Sequence, residues 1–196
     1  PTKLILGVNM LNLFKLIKTM SNNDTLTLYV DKNNQNQLCI KIENGEKNTV
    51  TTYKLNLMDL NEESIQIPPA QFTSVITMPS TDFQKICRDM HNLADVIEIK
   101  SAGSQLIFGC KGDFAQQETI MGESNNHGMK FTQKQEDTDI VQGVFALKHL
   151  VLFTKCTNLC NQIEMYLKND YPLIINYTVA SLGNIKLCLA PQCKPE

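Results

Sequence analysis

Residues 74–121 read SVITMPSTDFQKICRDMHNLADVIEIKSAGSQLIFGCKGDFAQQETIM, and they hold one whole structural unit. Ser74–Met78 alternates as a half-buried strand does. Pro79 and Ser80 then open a helix. Within it Phe83, Ile86, Cys87 and Met90 recur at i, i+3, i+4 and i+7 and give one apolar face. Val96–Lys100, Gln105–Cys110 and Glu118–Met121 alternate again, the first two joined by the short turn Ser101–Ser104. Short hairpin turns imply antiparallel pairing.

The unit repeats on both sides. Upstream, a helix over Gly7–Met20 precedes strands Thr25–Val30, Leu38–Glu43 and Thr49–Leu57, with a turn at Asp31–Gln37. Downstream, Asp139–Phe145 reads as a strand and Phe145–Thr157 as a helix; Ile163–Leu167, Leu173–Val179 and Ile185–Leu189 follow as strands. The helix starts are spaced 73 and 65 residues apart. The predicted fold class is α+β: repeated strand-helix-strand-strand-strand units with helices on one face of antiparallel sheets. Met58–Phe72 breaks the rhythm with an acidic run (Asp59, Glu62, Glu63) and the pair Pro68-Pro69, and reads as an extended linker. Gly122–Asp137, polar with Gly and Asn, reads as a mobile loop, and Ala190–Glu196 as a frayed tail. The domains expected are therefore residues 1–57 and 73–196, joined by the linker 58–72.

The chain has 196 residues, 42% hydrophobic and 19% charged, with a net charge of −2. This excludes a polycation that holds nucleic acid by total charge. No apolar run approaches the roughly 18 residues of a membrane span, and Pro1–Met10 lacks the layout of a signal peptide. The first residue is Pro and Leu4–Leu6 reads as strand, so the sequence is expected to begin within a longer protein. Its seven cysteines (39, 87, 110, 156, 160, 188 and 193) lie in apolar segments without C-x-x-C pairs or zinc-ligand spacing. They read as reduced thiols, with no metal or cofactor expected.

Charge is unevenly distributed. The three helices hold six basic residues and two acidic ones, and the remainder twelve and eighteen. Lys85 and Arg88 lie opposite the apolar face of the second helix. Lys15 and Lys18 lie across from Met10, Leu13, Phe14 and Ile17 on the first. Lys148 and Lys155 share an edge of the third, where Leu147, Leu150, Val151 and Thr154 pack inward. These lysines are either solvated helix faces or a shared basic surface. Long, mobile Lys side chains with a single Arg suit phosphates rather than base edges, so such a surface binds without sequence preference and weakens with salt.

Several segments, in order, carry a further signal: Gly7-Val8-Asn9-Met10, Lys54–Leu60, Ile67-Pro68, Met78-Pro79-Ser80, Phe83-x-x-Ile86-Cys87-Arg88-Asp89, Phe145-Ala146-Leu147, Phe153-Thr154-Lys155, Pro172-Leu173 and Leu189-Ala190-Pro191. In these the chain resembles the proliferating cell nuclear antigen (PCNA) family of DNA sliding clamps. The resemblance implies a homotrimeric ring in the nucleus, or at a cytoplasmic viral replication site, that encircles double-stranded DNA. Helices line the hole and sheets form the outside. Residues 1–57 then correspond to the second half of the first clamp domain, with its first half lacking. Lys15, Lys18, Lys85, Arg88, Lys148 and Lys155 match the family's DNA-facing positions. Tyr53, Leu55 and Leu57 on one edge strand, with Glu118 and Ile120 on another, match the subunit interface. Ile65, Ile67, Pro68, Pro172, Cys188, Leu189, Ala190 and Pro191 match the pocket for the interacting peptides of DNA polymerase, clamp loader and other clients. Cys188 stands where the family often has Tyr, and Gln66 where it usually has Gly. A non-ring processivity factor or a subunit of a heterotrimeric checkpoint clamp has the same fold. A β-rich protein-binding scaffold that does not touch DNA is the reading from another class.

Against an enzyme, the sequence shows no phosphate loop, GxSxG elbow or HExxH motif. Cys87 and His91 are four apart and could form a thiol–imidazole pair, but Cys87 lies on the apolar face. His127 and His149 have no metal-ligand neighbours at useful spacing.

Overall fold

Each of the three helices forms, and an antiparallel three-stranded meander follows each. The computed structural model describes residues 4–60, 70–124, 126, 128–134 and 141–192. The chain divides into two units, Pro1–Pro68 and Pro69–Glu196.

In the first unit, α1 (Met10–Ile17) is capped by Asn9, whose side chain accepts the Asn12 N–H at 3.1 Å. Strands β1 (Asp24–Asp31), β2 (Asn34–Asn44) and β3 (Thr49–Asn56) form a sheet in that order. The β1–β2 turn is tighter than the predicted Asp31–Gln37. Asp31 already faces Asn34, and its carboxylate takes the Asn33 N–H at 2.9 Å. The core is built on the central strand, from Leu38, Ile40 and Ile42, with Leu13, Leu16, Ile17, Tyr53 and Leu55 packed against it. This corrects the predicted apolar face of α1. Leu13 and Ile17 pack inward with Leu16, whereas Met10 and Phe14 are 68% and 61% exposed. One three-stranded sheet covers a single stripe of a helix, and α1 carries apolar residues beyond it. Leu4–Leu6, predicted as strand, forms none.

The second unit holds two repeats. The first comprises β4 (Ser74–Pro79), α2 (Ser80–His91), β5 (Val96–Ala102), β6 (Gln105–Lys111) and β7 (Gln116–Gly122). After β8 (Lys130–Lys134) the second comprises β9 (Val141–Ala146), α3 (Leu147–Phe153), a 3₁₀ turn (Thr154–Leu159), β10 (Gln162–Leu167), β11 (Leu173–Val179) and β12 (Gly183–Leu189). The sheets run β12-β11-β10-β4-β8 and β7-β6-β5-β9. The strand before each helix thus joins the other repeat's meander: β4 pairs with β10, and β9 with β5, both antiparallel. The registers match. The residue before each helix meets the first residue of the partner strand, Pro79 opposite Gln162 and Ala146 opposite Val96.

Between the sheets and helices lies one core that includes Ile76, Met78, Phe83, Met90, Ile97, Phe108, Leu147, Leu150, Ile163 and Tyr177. Gly103, at φ +55°, supplies the left-handed residue of the β5–β6 turn. The predicted loop Gly122–Asp137 contains a strand after all. Phe131 of β8 sits opposite Ile76 and packs on the core, a lone apolar residue in a polar run with lysine at both ends of an edge strand. The second half of the predicted third helix tightens to 3₁₀. There Thr154 and Thr157 donate back to the carbonyls of Val151 and Thr154 at 2.8 and 2.6 Å. The start of the tail is pinned rather than frayed: the Gln192 N–H donates to the Val144 carbonyl at 2.8 Å.

Candidate nucleic-acid and partner interfaces

The basic side chains take their direction from the helix faces that bury. On α2, Phe83, Ile86, Cys87 and Met90 are in the core, so Lys85 and Arg88 project away from both sheets and are exposed. On α3 and the 3₁₀ turn, Leu147, Leu150, Thr154 and Thr157 are buried, and Lys148 and Lys155 are exposed. Lys15 and Lys18 are exposed on α1.

The structure brings the four basic residues of the second unit onto one paired helical layer. The Ser80 hydroxyl donates to the carbonyls of Thr157 and Cys160 at 3.2 and 2.7 Å, and the Gln84 amide to the Thr154 carbonyl at 3.2 Å. These two polar residues fix α2 against the 3₁₀ turn. Nothing in the sequence marks them, since each reads as ordinary helix surface.

The register repeats. Lys15 and Lys85 each stand five residues after the first residue of their helices, Met10 and Ser80. Lys18, Arg88 and Lys155 each stand eight after theirs, the last counted from Leu147. The ion pairs found among the described residues, Lys41–Glu43 and Lys100–Glu98, lie on strands and involve none of the six.

Tyr53 and Leu55 fall on the edge strand β3 of the first unit, with Leu57 just past its end, and Glu118 and Ile120 fall on the edge strand β7 of the second. Tyr53, Leu55 and Leu57 turn their side chains into the first unit's own core. What β3 leaves open is its backbone edge, not an apolar face. On β7, Glu118 is exposed and Ile120 is 54% exposed. Of the predicted peptide pocket, Ile65, Ile67 and Pro68 lie outside the described residues. Pro172, Cys188, Leu189 and Pro191 are half-buried and Ala190 is exposed. The pairs Leu173–Leu189 and Ile174–Cys188 hold this end of β12. A cavity of about 680 Å³ is lined by Pro191 together with Glu98, Gln142, Val144, Asp170 and Gln192. Its wall mixes polar side chains with Val144 and Pro191, and of the predicted pocket it includes Pro191 alone.

Residues 2–65 match the family profile "Proliferating cell nuclear antigen, N-terminal domain", and residues 66–192 match "Proliferating cell nuclear antigen, C-terminal domain". The chain belongs to the PCNA family. It is 37% identical over 190 residues to "Probable DNA polymerase sliding clamp 1" of Paramecium bursaria Chlorella virus 1, covering 95% of this chain and 71% of that protein. It is 32% identical over 191 residues to "Probable DNA polymerase sliding clamp" of Acanthamoeba polyphaga mimivirus, covering 96% of this chain and 40% of that one.

In this PCNA-family chain the Cys87–His91 pair has the wrong surroundings for a nucleophile. Cys87 is fully buried, and burial pushes its thiol up to about 12. An activated thiol needs the opposite shift. At pH 8 the thiolate fraction is then about a thousandfold below that of an ordinary cysteine. Native Cys87 is expected to resist iodoacetamide at pH 8 while denatured protein reacts fully, as peptide mass mapping would read. Rapid native labelling of Cys87 would contradict its burial. Among the described residues no helix is long and apolar enough to cross a membrane.

Proposed function

We propose that this protein is a sliding clamp: copies of it close into a trimeric ring around duplex DNA, tether DNA polymerase without sequence preference, and dock clients through short peptides. The observation that carries this reading is the recurrence of exposed cations, none in an ion pair found among the described residues, at matching positions of successive helices, on a chain whose net charge is −2. Diffuse Lys contacts to phosphate hold a duplex but leave it free to slide. A topological link supplies the persistence that such weak contacts lack.

Closure uses the edges β3 and β7. Each lacks a second neighbouring strand among the described residues, and head-to-tail addition of one to the other buries both edges and closes when the rotation allows. Client peptides dock beside Pro172, Leu189, Ala190 and Pro191 of the second unit; Ile65, Ile67 and Pro68, which the family resemblance assigns to the same pocket, lie outside the described residues. The two viral relatives bear sliding-clamp names, which favours the same role in replication for this chain.

The test is retention on DNA of two topologies. Protein loaded on a closed circle should stay bound through a moderate salt wash and leave when the circle is cut. Equal retention on circular and linear DNA would rule out encirclement.

A further inference from the structure

The outer face of the five-stranded sheet is not the plain polar surface that a half-solvated antiparallel sheet presents. One row across it reads Cys188, Ile174, Tyr166, Val75 and Gln133, from β12 to β8. Val75 and Ile174, on either side of Tyr166, are each only 8% exposed. Phe72, just before β4, packs on this row. Its ring meets those of Tyr166 and Tyr171 edge to face, with centroids 5.2 and 5.6 Å apart. Tyr166 is also held at its far end. Its hydroxyl donates at 3.1 Å to the Glu164 carboxylate, which accepts the Asn176 amide at 2.7 Å as well. Beside the two rings of Phe72 and Tyr166 lies a cavity of about 600 Å³, lined further by Val75, Gln133 and Lys134. The Gln133 amide donates to the Phe72 carbonyl at 2.9 Å and fixes that wall.

Charge on this face runs against that of the chain. The neighbouring row reads Lys186, Asn176, Glu164, Thr77 and Lys130. It ends in lysine at both edges, and its one carboxylate is already engaged by Tyr166 and Asn176. The Lys168 Nζ lies 5.7 Å from the centre of the Tyr171 ring. Outside the three helices the sequence holds twelve basic and eighteen acidic residues, and four of those twelve, Lys130, Lys134, Lys168 and Lys186, stand around this cluster.

We infer that this face binds an acidic segment of another protein. One aromatic or branched apolar side chain of that segment enters the cavity beside Phe72 and Tyr166, and its flanking carboxylates meet Lys130, Lys134 and Lys168. A small apolar seat rimmed by cations suits such an anchor, with affinity from the seat and selection from the rim. A single nucleic-acid strand would also meet lysines and rings, but it needs open ring faces for stacking. Here the rings are turned edge to face on one another. The cavity shares no residue with the predicted client pocket, although Cys188 stands at the other end of the Tyr166 row. Its failure would therefore leave both that pocket and the ring reading in place.

The probe is a short fluorescein-labelled peptide with one central Phe among Asp, Glu and Ser. Two controls replace that Phe by Ser or every acidic residue by Lys. In anisotropy titrations the 196-residue chain should bind the acidic Phe peptide at least about tenfold more tightly than either control, and less tightly as salt is raised. Tyr166→Ser should lower that affinity at least about tenfold, whereas Tyr166→Phe, which keeps the ring, should preserve it. The double variant K130E/K134E, at two exposed positions, should lose as much as Tyr166→Ser while its thermal midpoint stays near the parent's. All three variants should behave as the parent does on circular DNA, so peptide binding and encirclement are read separately. Equal binding of the acidic and lysine peptides would overturn the proposal, as would unchanged binding by Tyr166→Ser. Binding of oligothymidine but not of the acidic peptide would overturn it in favour of a nucleic-acid strand. No binding of the acidic peptide at all would overturn it outright.

Discussion

Changing Lys15, Lys85 and Lys155 together to glutamate is expected to abolish DNA retention at salt concentrations where the unaltered protein still holds. Each residue lies on the outer side of a helix and belongs to none of the ion pairs found among the described residues. Each subunit of the proposed trimer loses three phosphate contacts, so the slope of log affinity against log salt should fall by about three for each subunit that engages the duplex, since each contact contributes roughly 0.9. Reversal adds repulsion to that loss, so affinity for a short duplex should fall by roughly two to three orders of magnitude. Exposed substitutions of this kind usually move stability by within about 0.5 kcal/mol, and the thermal midpoint should stay near that of the parent. Binding titrations across a salt series check the first point and thermal melting the second. Unchanged affinity with an unchanged salt slope would mean that these lysines are solvated helix faces, which returns the chain to the scaffold reading.

The repeat was legible because its signals are dense. Phe83, Ile86, Cys87 and Met90 mark one helix face, the meander strands alternate without interruption, and the turns use Gly, Asn and Asp. The basic residues could be placed for the same reason: once the apolar stripe of α2 is known, Lys85 and Arg88 have only the opposite side. The failures have one cause, which is tertiary. Met10 and Phe14 belong to a pattern that reads as core, but the sheet beneath α1 has only β1, β2 and β3 to offer, and both remain exposed. In β8, the single Phe131 gives too weak an alternation to find a strand whose place depends on β4. Ser80 and Gln84 join two helical elements through carbonyls some 70 to 80 residues away, a relation that no local window contains.

Truncation of Phe83 to alanine should have the largest effect on stability, because this side chain ties helix position to sheet position. Its ring is fully buried and lies 6.5 Å from that of Phe108, tilted by 50°. The loss of a buried phenyl ring with incomplete collapse of the cavity costs about 3–5 kcal/mol. A domain is typically stable by only about 5–15 kcal/mol, so the second unit should unfold at much lower denaturant concentration. The first unit has its own cluster on Leu38, Ile40 and Ile42, which does not include Phe83. Its transition should therefore stay in place and separate from that of the second unit. Phe83→Leu, which keeps most of the volume, should cost less than half as much. Chemical denaturation followed by circular dichroism resolves these outcomes. A cost under about 1 kcal/mol for the alanine variant would show that α2 is held by something other than this core. Lys85 flanks Phe83 two residues on and Arg88 follows one turn later, so the anchor that sets stability also sets where those two charges point. At temperatures where the alanine variant remains folded, its DNA retention should fall less than its stability does, because a loosened helix still carries both cations.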